Sequence, residues 1–538
     1  MKNKTNRDKN KRDSGDLRSG KVDRSKVGAI LGNLGFPTSG MSDYAESQWL
    51  QTGNPDPRNR FMSSGIAKLL EEALGLAPGL FCLDTACASS LYAIKLACDQ
   101  LHDGTVDMVL AGAINRADDL FIHVGFTALK ALSPTGESRP FHAEANGLVP
   151  AEGAGIVALK RLADAQRDGN TIYGVIRGIG LSNDGRGRGF LAPSSEGQIR
   201  ALKQAYTSAG ISPKDVSLLE CHATGTTLGD ATEIQSTASL YQGCDQVPIG
   251  SLKSNMGHLI TTAGVAALIK VIEAMRHGQR PPTLHSQNPS PALQDSPFRL
   301  LSKCEPWISN GQKIAGISAF GFGGNNAHLL VSENSLPASN EVVSQIVAEP
   351  LALVAAGVVV GEVDGLYDFK MAVENNISLI TKGSAGALGV ESKEITLGLK
   401  GLRFPPKDLN DTLGQQLLIL KAAREAISQC PNLPNETTGV FMGMEPDVEV
   451  CRYGLRWRLN QKLKENGKDP QQHQSWIAKT KENIIPPLSS AGVVGTMPNI
   501  PANRLNSQFD FGGASLSISS GESSGIQALQ LASRALYS

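Results

Sequence analysis

Between Leu80 and Cys98 the chain reads Leu-Phe-Cys-Leu-Asp-Thr-Ala-Cys-Ala-Ser-Ser-Leu-Tyr-Ala-Ile-Lys-Leu-Ala-Cys. A stretch of this kind leaves few folding options. The apolar run from Leu80 to Leu83 reads as a buried strand. It breaks at Asp84-Thr85-Ala86, after which Leu91, Ile94 and Cys98 recur at helical spacing. Cys87 therefore sits at a strand-to-helix elbow, on or just before the first helical turn. Free backbone N–H groups and the positive end of the helix dipole are expected to favour its thiolate there. Small neighbours (Ala86, Ala88, Ser89) leave room for a substrate. A lone cysteine is more often a small buried hydrophobe, so the rest of the chain has to decide.

At 538 residues the chain exceeds one ordinary core, which implies two or more domains. Basic and acidic side chains balance at 51 each, which argues against a nucleic-acid or anionic-membrane role, since both need a basic excess. The eight cysteines (82, 87, 98, 221, 244, 304, 430, 451) form no CxxC pair, which fits reduced thiols in a cytoplasm. No run approaches the ~18 apolar residues of a membrane span.

Residues 1–26 carry ten Lys or Arg and four Asp or Glu with almost no aliphatic side chains, and are expected to be a disordered basic tail. A docking tail, a solvated tail and upstream sequence beyond the true domain start remain alternatives. Val27 to Gly32 reads as a strand, Arg58 to Leu76 carries a helical pattern, and Asp107 to Ala113 reads as a second buried strand. Strands alternating with helices continue to about Ser332, so 27–334 is expected to be one α/β domain. A polar linker over 335–349 follows. The remaining segment, 350–538, echoes the first. Thr438-Gly-Val-Phe-Met-Gly echoes Val27 to Gly32, and Ser515 to Ala532 echoes the elbow with Glu522 opposite Cys87.

Three further stretches carry suggestive residues. Glu220 to Glu233 holds His222 among small and hydroxyl residues, Gly250 to Leu259 holds Lys253 and His258, and Gly316 to His328 is a strand with a Gly-rich turn. Each has a bland reading alone. Together, Asp-Thr-Ala-Cys-Ala-Ser-Ser, Cys-His-Ala-Thr-Gly-Thr, Ser-Leu-Lys-Ser-Asn-Met-Gly-His and Ala-Phe-Gly-Phe-Gly-Gly-Asn-Asn-Ala-His resemble, in order, the motifs of the β-ketoacyl synthases, condensing enzymes of the thiolase superfamily. Pro-Phe-His-Ala-Glu-Ala-Asn-Gly and Leu-Ser-Asn-Asp-Gly-Arg-Gly look most like synthases of polyunsaturated fatty acids and heterocyst glycolipids, in which a ketosynthase is followed by a nucleophile-less chain-length factor.

The resemblance implies a thiolase-like layered αβαβα fold whose first copy lacks its N-terminal strand–helix unit and whose second is an N-terminal half. It also implies a 3-oxoacyl-[acyl-carrier-protein] synthase activity. Cys87 would hold the acyl chain as a thioester. His222 and His258 would donate through Nε2 to the enolate formed by decarboxylation of a malonyl thioester. Lys253 and Glu233 would form an ion pair that holds His222. Thr224, Thr226, Gly323 and Gly324 would bind the phosphopantetheine arm of an acyl carrier protein. The N–H groups of Cys87 and Phe322 would form the oxyanion hole, with the Phe322 ring gating access. No cofactor and no metal is implied; partners would be the carrier protein, other synthase subunits and a homo- or heterodimeric mate. Glu522 marks a pseudo-nucleophile position, read either as a capping carboxylate or as part of a lid or dimer partner. Ala223, His142 and Asn146 depart from the family's usual Gly and Asp, which bears on substrate preference more than chemistry.

Two explanations of the missing first unit compete. Either the chain is an internal slice of a larger synthase, or residues 351–430 (strand Leu351 to Gly357, helix Asp408 to Ile427) complete the first domain by swapping. An inactive scaffold that shapes a partner's acyl tunnel is the rival function. A biosynthetic thiolase or chalcone-type synthase fits the lysine–histidine stretch less well.

Overall fold

The computed structural model describes residues 22–36, 62–77, 79–116, 120–309, 311–334, 350–382 and 388–537, with Gly40, Asp43, Tyr44 and Ser47 besides. The expected linker 335–349 and most of the tail lie outside them. Residues 22–26, expected within the tail, are ordered: Asp23 caps a single turn, Arg24–Lys26, and Val22 packs on the neighbouring apolar cluster.

Apolar runs with little polar alternation become central strands, because such runs are stable only when covered on both faces. The frame consists of β1 (Val27–Asn33), β2 (Phe81–Asp84), β3 (Met108–Asn115), β4 (Gly153–Leu159), β5 (Val175–Asn183), β6 (Leu218–Glu220), β7 (Val247–Gly250), β8 (Phe298–Leu300), β9 (Ile314–Gly321), β10 (Asn325–Ser332), β11 (Val440–Gly443) and β12 (Ser515–Ser519). They form two six-stranded sheets, ordered β11-β12-β2-β1-β3-β4 and β5-β10-β9-β6-β7-β8. The principal helices are α1 (Gly65–Leu74), α2 (Ser89–His102), α3 (Leu120–Ala128), α4 (Ser195–Ala209), α5 (Thr227–Leu240), α6 (Ala263–His277), α7 (Gly414–Ser428), α8 (Ile500–Phe509) and α9 (Ser524–Ala535).

Helices α2 and α6 touch each other and both sheets, so they fill the space between them. The largest core cluster runs through that space, joining Leu91, Ile94 and Ala97 of α2 to Leu268 and Val271 of α6 and to Ile317 and Leu329 of the second sheet. Helix α2 stays close to the first sheet because Gly32 is bare: a Cβ there would meet the Ser89 Cβ at 2.7 Å.

Three expectations for residues 351–430 change: the swap, the strand and the single helix. Within the first sheet β1 pairs in parallel with β3 along its whole length, from Val27–Met108 to Asn33–Ile114. Among the described residues of 351–430 no strand joins this sheet, so the swapped completion is not the arrangement found. Leu351 to Gly357 carries no strand pairing; a short hairpin at Val359–Val360 and Val363–Asp364 follows it instead. The helix expected over Asp408 to Ile427 is two helices, Pro406–Asn410 and α7.

The C-terminal segment instead extends the first sheet from its other edge. Strand β12 pairs antiparallel with β2, Ser517 opposite Asp84 and Ser519 opposite Cys82. That pairing sets the two elbows back to back across a local two-fold relation. Their backbones agree: Ala86 has φ 51° and Gly521 φ 61°. Thr85 N–H donates to Ser89 Oγ at 3.0 Å, and Ser520 N–H to Ser524 Oγ at 2.9 Å. Each elbow N–H also finds a carboxylate at 2.8 Å, Ala86 that of Asp84 and Gly521 that of Glu445. No described helix is long and apolar enough to cross a membrane.

Candidate active site

The four expected stretches converge at the ends of β2, β6, β7 and β9. Cys87 lies on the single turn Ala86–Ala88 that joins β2 to α2. It packs with Ile122, Phe126, Leu148 and Ile260 and is 3% exposed. Its sulfur faces His258, whose Nε2 is 3.0 Å from Sγ. The His222 and His258 rings meet edge to face with centroids 5.5 Å apart. The Cys87 sulfur and a nitrogen of each imidazole lie within 4.8 Å of one another. A thiophilic cation such as Zn²⁺ could occupy that spacing in place of a substrate.

His258 accepts the Ile260 N–H at Nδ1 (3.4 Å), which assigns its proton to Nε2 and makes Nε2 a donor toward the sulfur. Burial keeps both imidazoles neutral by lowering their pKa values well below normal, reinforced by the charge of Lys253. Neutral imidazoles with Nε2–H can donate to a developing oxyanion. The Nδ1 of His222 has no partner among the described residues.

The expected thiolate is not what the site stabilises. Burial pushes the Cys87 thiol up to about 12, against the opposing pull of Lys253 and of the Phe322 and Cys87 N–H groups. The Cys87 and Phe322 N–H groups and the Lys253 charge favour the thiolate, but desolvation in a closed pocket outweighs them. Cys87 is therefore a thiol at rest.

The ion pair expected between Lys253 and Glu233 is also absent. Glu233 accepts the backbone N–H groups of His222 and Ala223, each at 2.7 Å. It positions the His222 loop through the main chain. Burial lowers the Lys253 pKa, offset in order by Glu220, Glu233, Cys87 and Asp230, so the ammonium serves several acidic groups rather than one. Glu220 pairs with Lys270 at 2.5 Å.

Thr224 and Thr226 share a hydroxyl contact at 3.2 Å beside the histidines. Gly321 passes the elbow closely: a Cβ there would meet the Thr85 carbonyl oxygen at 2.4 Å. This brings Phe322, whose N–H acts on the sulfur, alongside Cys87, and sets its ring 5.7 Å from that of Phe126. Gly323 and Gly324 take φ of 92° and 100°, which only glycine adopts easily. Glu522 is exposed on the second elbow and takes no part in this cluster. His328 lies elsewhere, against Ser318 and the Tyr206 ring.

Sequence reasoning missed two supporting acids. Asp84 accepts the Ala86 and Gly35 N–H groups, and Asp230 accepts those of Phe141, Thr224 and Gly225. Each is buried and raised to about 6 by desolvation. A signal existed: Asp84 stands three residues before Cys87, and Asp230 one helical turn before Glu233.

Comparison with known proteins agrees with this geometry. The N-terminal domain model of beta-ketoacyl synthases matches residues 13–165 and 400–538, and the C-terminal domain model residues 173–287. The chain is 40% identical over 301 residues to a phenolphthiocerol/phthiocerol polyketide synthase component of Mycobacterium tuberculosis, covering 54% of this chain and 16% of that one. It is 30% identical over 518 residues to a polyunsaturated fatty acid synthase component of a Thraustochytrium species, covering 88% of this chain and 24% of that one. The chain thus spans a minor part of these relatives. The solved PfaC keto synthase–chain length factor superposes with a TM-score of 0.86 at 28% identity, over 97% of this chain and 61% of that one. A ketosynthase from the bacillaene synthase of Bacillus subtilis 168 aligns over 59% of this chain and 56% of its own, with a TM-score of 0.54 at 33% identity. Family models covering both elbows and a compact thiol–imidazole cluster lead to one assignment: the chain belongs to the β-ketoacyl synthase family of the thiolase superfamily.

Proposed function

We propose that the chain is a condensing enzyme that extends acyl groups carried on phosphopantetheine, a 3-oxoacyl-[acyl-carrier-protein] synthase within a larger synthase. The observation that carries this is the buried Cys87 sulfur 3.0 Å from the Nε2 of His258 with His222 beside it. In this reading the Cys87 sulfur, once deprotonated, attacks the thioester carbonyl. The carbonyl electron pair moves to oxygen, where the Cys87 and Phe322 N–H groups receive it. Collapse breaks the bond to pantetheine, whose thiolate takes up the proton that Cys87 lost. The acyl group stays on Cys87.

A malonyl thioester then loses CO₂, and the electrons of the broken bond form an enolate at the thioester oxygen. His222 and His258 hydrogen-bond that oxygen from neutral rings. The enolate carbon attacks the acyl-Cys87 carbonyl, a carbon–carbon bond forms, and the Cys87 thiolate leaves and takes a proton from water. Burial favours the scheme, because a dry site strengthens hydrogen bonds to developing charge.

The reading extends to the architecture: two related copies in the layered αβαβα arrangement, the second acting as a chain-length-factor-like mate for the first. The intrachain β12–β2 pairing supports it, because it joins two similar elbows as a two-fold dimer interface would. Carrier-protein delivery past Thr224 and Thr226 and a cytoplasmic setting belong to the same proposal. The test supplies the full chain with an acyl thioester and ¹⁴C-malonyl thioester. A labelled β-ketoacyl product that disappears in Cys87→Ala is expected. A folded chain that releases neither CO₂ nor product contradicts the reading.

A further inference from the structure

The Gly321–Asn326 turn that carries Phe322 is held from the opposite segment. Asn499, the cap of α8, donates from Nδ2 to the Phe322 carbonyl oxygen at 2.7 Å. One turn on, Asn503 donates to Asn325 Oδ1 at 2.7 Å and accepts from Asn183 at 2.9 Å. Both asparagines are 1% exposed. Gly323 N–H donates to the Phe190 carbonyl at 3.1 Å, and Phe190 itself is fixed by the C-terminal segment: its ring stacks on Phe404, with the Arg504 guanidinium over both rings.

A buried asparagine is tolerated only where its amide is paired, since an unpaired amide costs roughly 1–3 kcal/mol. Here Asn499 meets the Phe322 carbonyl, and its own Oδ1 has no partner among the described residues. Its one bond is spent on the peptide next to the N–H that faces the Cys87 sulfur. With Gly321 jammed against the Thr85 carbonyl on one side, that bond restrains the other side. The Phe322 N–H is then fixed between the two.

We propose that Asn499 is a positioning residue for acyl transfer: the second segment, whose elbow carries no thiol, aims the Phe322 half of the first segment's oxyanion hole. The inference rests on the proposed function and adds a role to a residue outside the Cys–His–His cluster. It predicts a split between steps. Acylation of Cys87 uses the Phe322 N–H, whereas decarboxylation uses the imidazoles, so loss of Asn499 slows only the first.

The experiment measures both steps in the full chain, single-turnover acylation by acyl-N-acetylcysteamine thioesters (mass spectrometry) and CO₂ release from malonyl-N-acetylcysteamine. Asn499→Ala and the isosteric Asn499→Asp should each lower acylation about 10-fold, a fraction of the ~10²–10³ cost of losing a donor outright. Decarboxylation should stay within about twofold of the parent, since the imidazole donors are untouched. Val493→Ala, which removes packing in the adjacent helix Ser490–Thr496, should move both steps by one common factor. If Asn499→Ala does not fold, Asn499→Asp carries the test. Acylation at the parent rate, or equal losses in both steps, overturns the inference. A parent chain that is never acylated overturns the proposed function, and the inference with it.

Discussion

The elbow at Phe81–His102 and the elbow at Ser515–Ala535 share backbone, caps and carboxylate support, yet their surroundings differ at every level. Around the first, α2 is buried on nearly all sides: Leu91 and Ile94 are 0% exposed. On α9 the corresponding Ile526 and Leu529 are 75% and 60% exposed. The first elbow carries a thiol facing two imidazoles; the second carries Glu522 facing solvent. The carboxylate that steadies the first comes from its own strand, Asp84, and that of the second from Glu445, which also accepts the Ser63 N–H of the first segment at 3.0 Å. A local fold is thus repeated while its chemistry is not. The difference lies in what the second sheet brings to the first elbow (His222, His258 and Lys253), groups that no described residue places beside the second.

That contrast can be broken in graded ways. The largest effect falls on the nucleophile: Cys87→Ala should reduce condensation roughly 10⁴-fold or more, the scale on which loss of a nucleophile acts in other enzymes. Kinetics with a saturating acyl thioester check this. Next, His222→Ala and His258→Ala should each lower CO₂ release from a malonyl thioester by about 10²–10³, the usual cost of one oxyanion donor.

Stability separates the two helices more gently. Leu91→Ala should cost about 2–5 kcal/mol by the cavity it leaves, whereas Ile526→Ala on the exposed face should fall within about 0.5 kcal/mol of the parent. Urea unfolding followed by circular dichroism reads both. Smallest of all, Glu522→Gln should leave condensation and stability nearly unchanged, because the side chain is exposed and its elbow N–H is bound by Glu445 instead. The same contrast has a pH signature. With the Cys87 thiol pushed up to about 12, its alkylation by iodoacetamide should climb steadily from pH 7 to about 10 without a plateau. A plateau near neutrality would mean that the N–H groups and Lys253 outweigh burial.

Much of this was legible in the residues, and the gaps have physical causes. The elbow, the three companion stretches and the C-terminal echo could be read because apolar periodicity and small-residue turns are local signals. The resting thiol at Cys87 could not, because burial is a property of the closed pocket rather than of the turn. The resemblance paired Glu233 with the Lys253 ammonium, but in the folded loop the His222 and Ala223 N–H groups occupy both of its oxygens. The pairing of β1 with β3 was missed because strand order is not written in strand composition. Asn499 and Asn503 gave only a faint sign, two asparagines four apart in a helix that turned out to be buried.

The most direct test is intact-mass analysis of the chain, and of its Glu522→Cys variant, after incubation with an acyl thioester. One acyl group per chain, mapped to the Cys87 peptide and not increased by a thiol at position 522, is the predicted result. An adduct on another cysteine, or a second adduct at position 522, would contradict the claim that only the elbow beside the imidazoles is reactive.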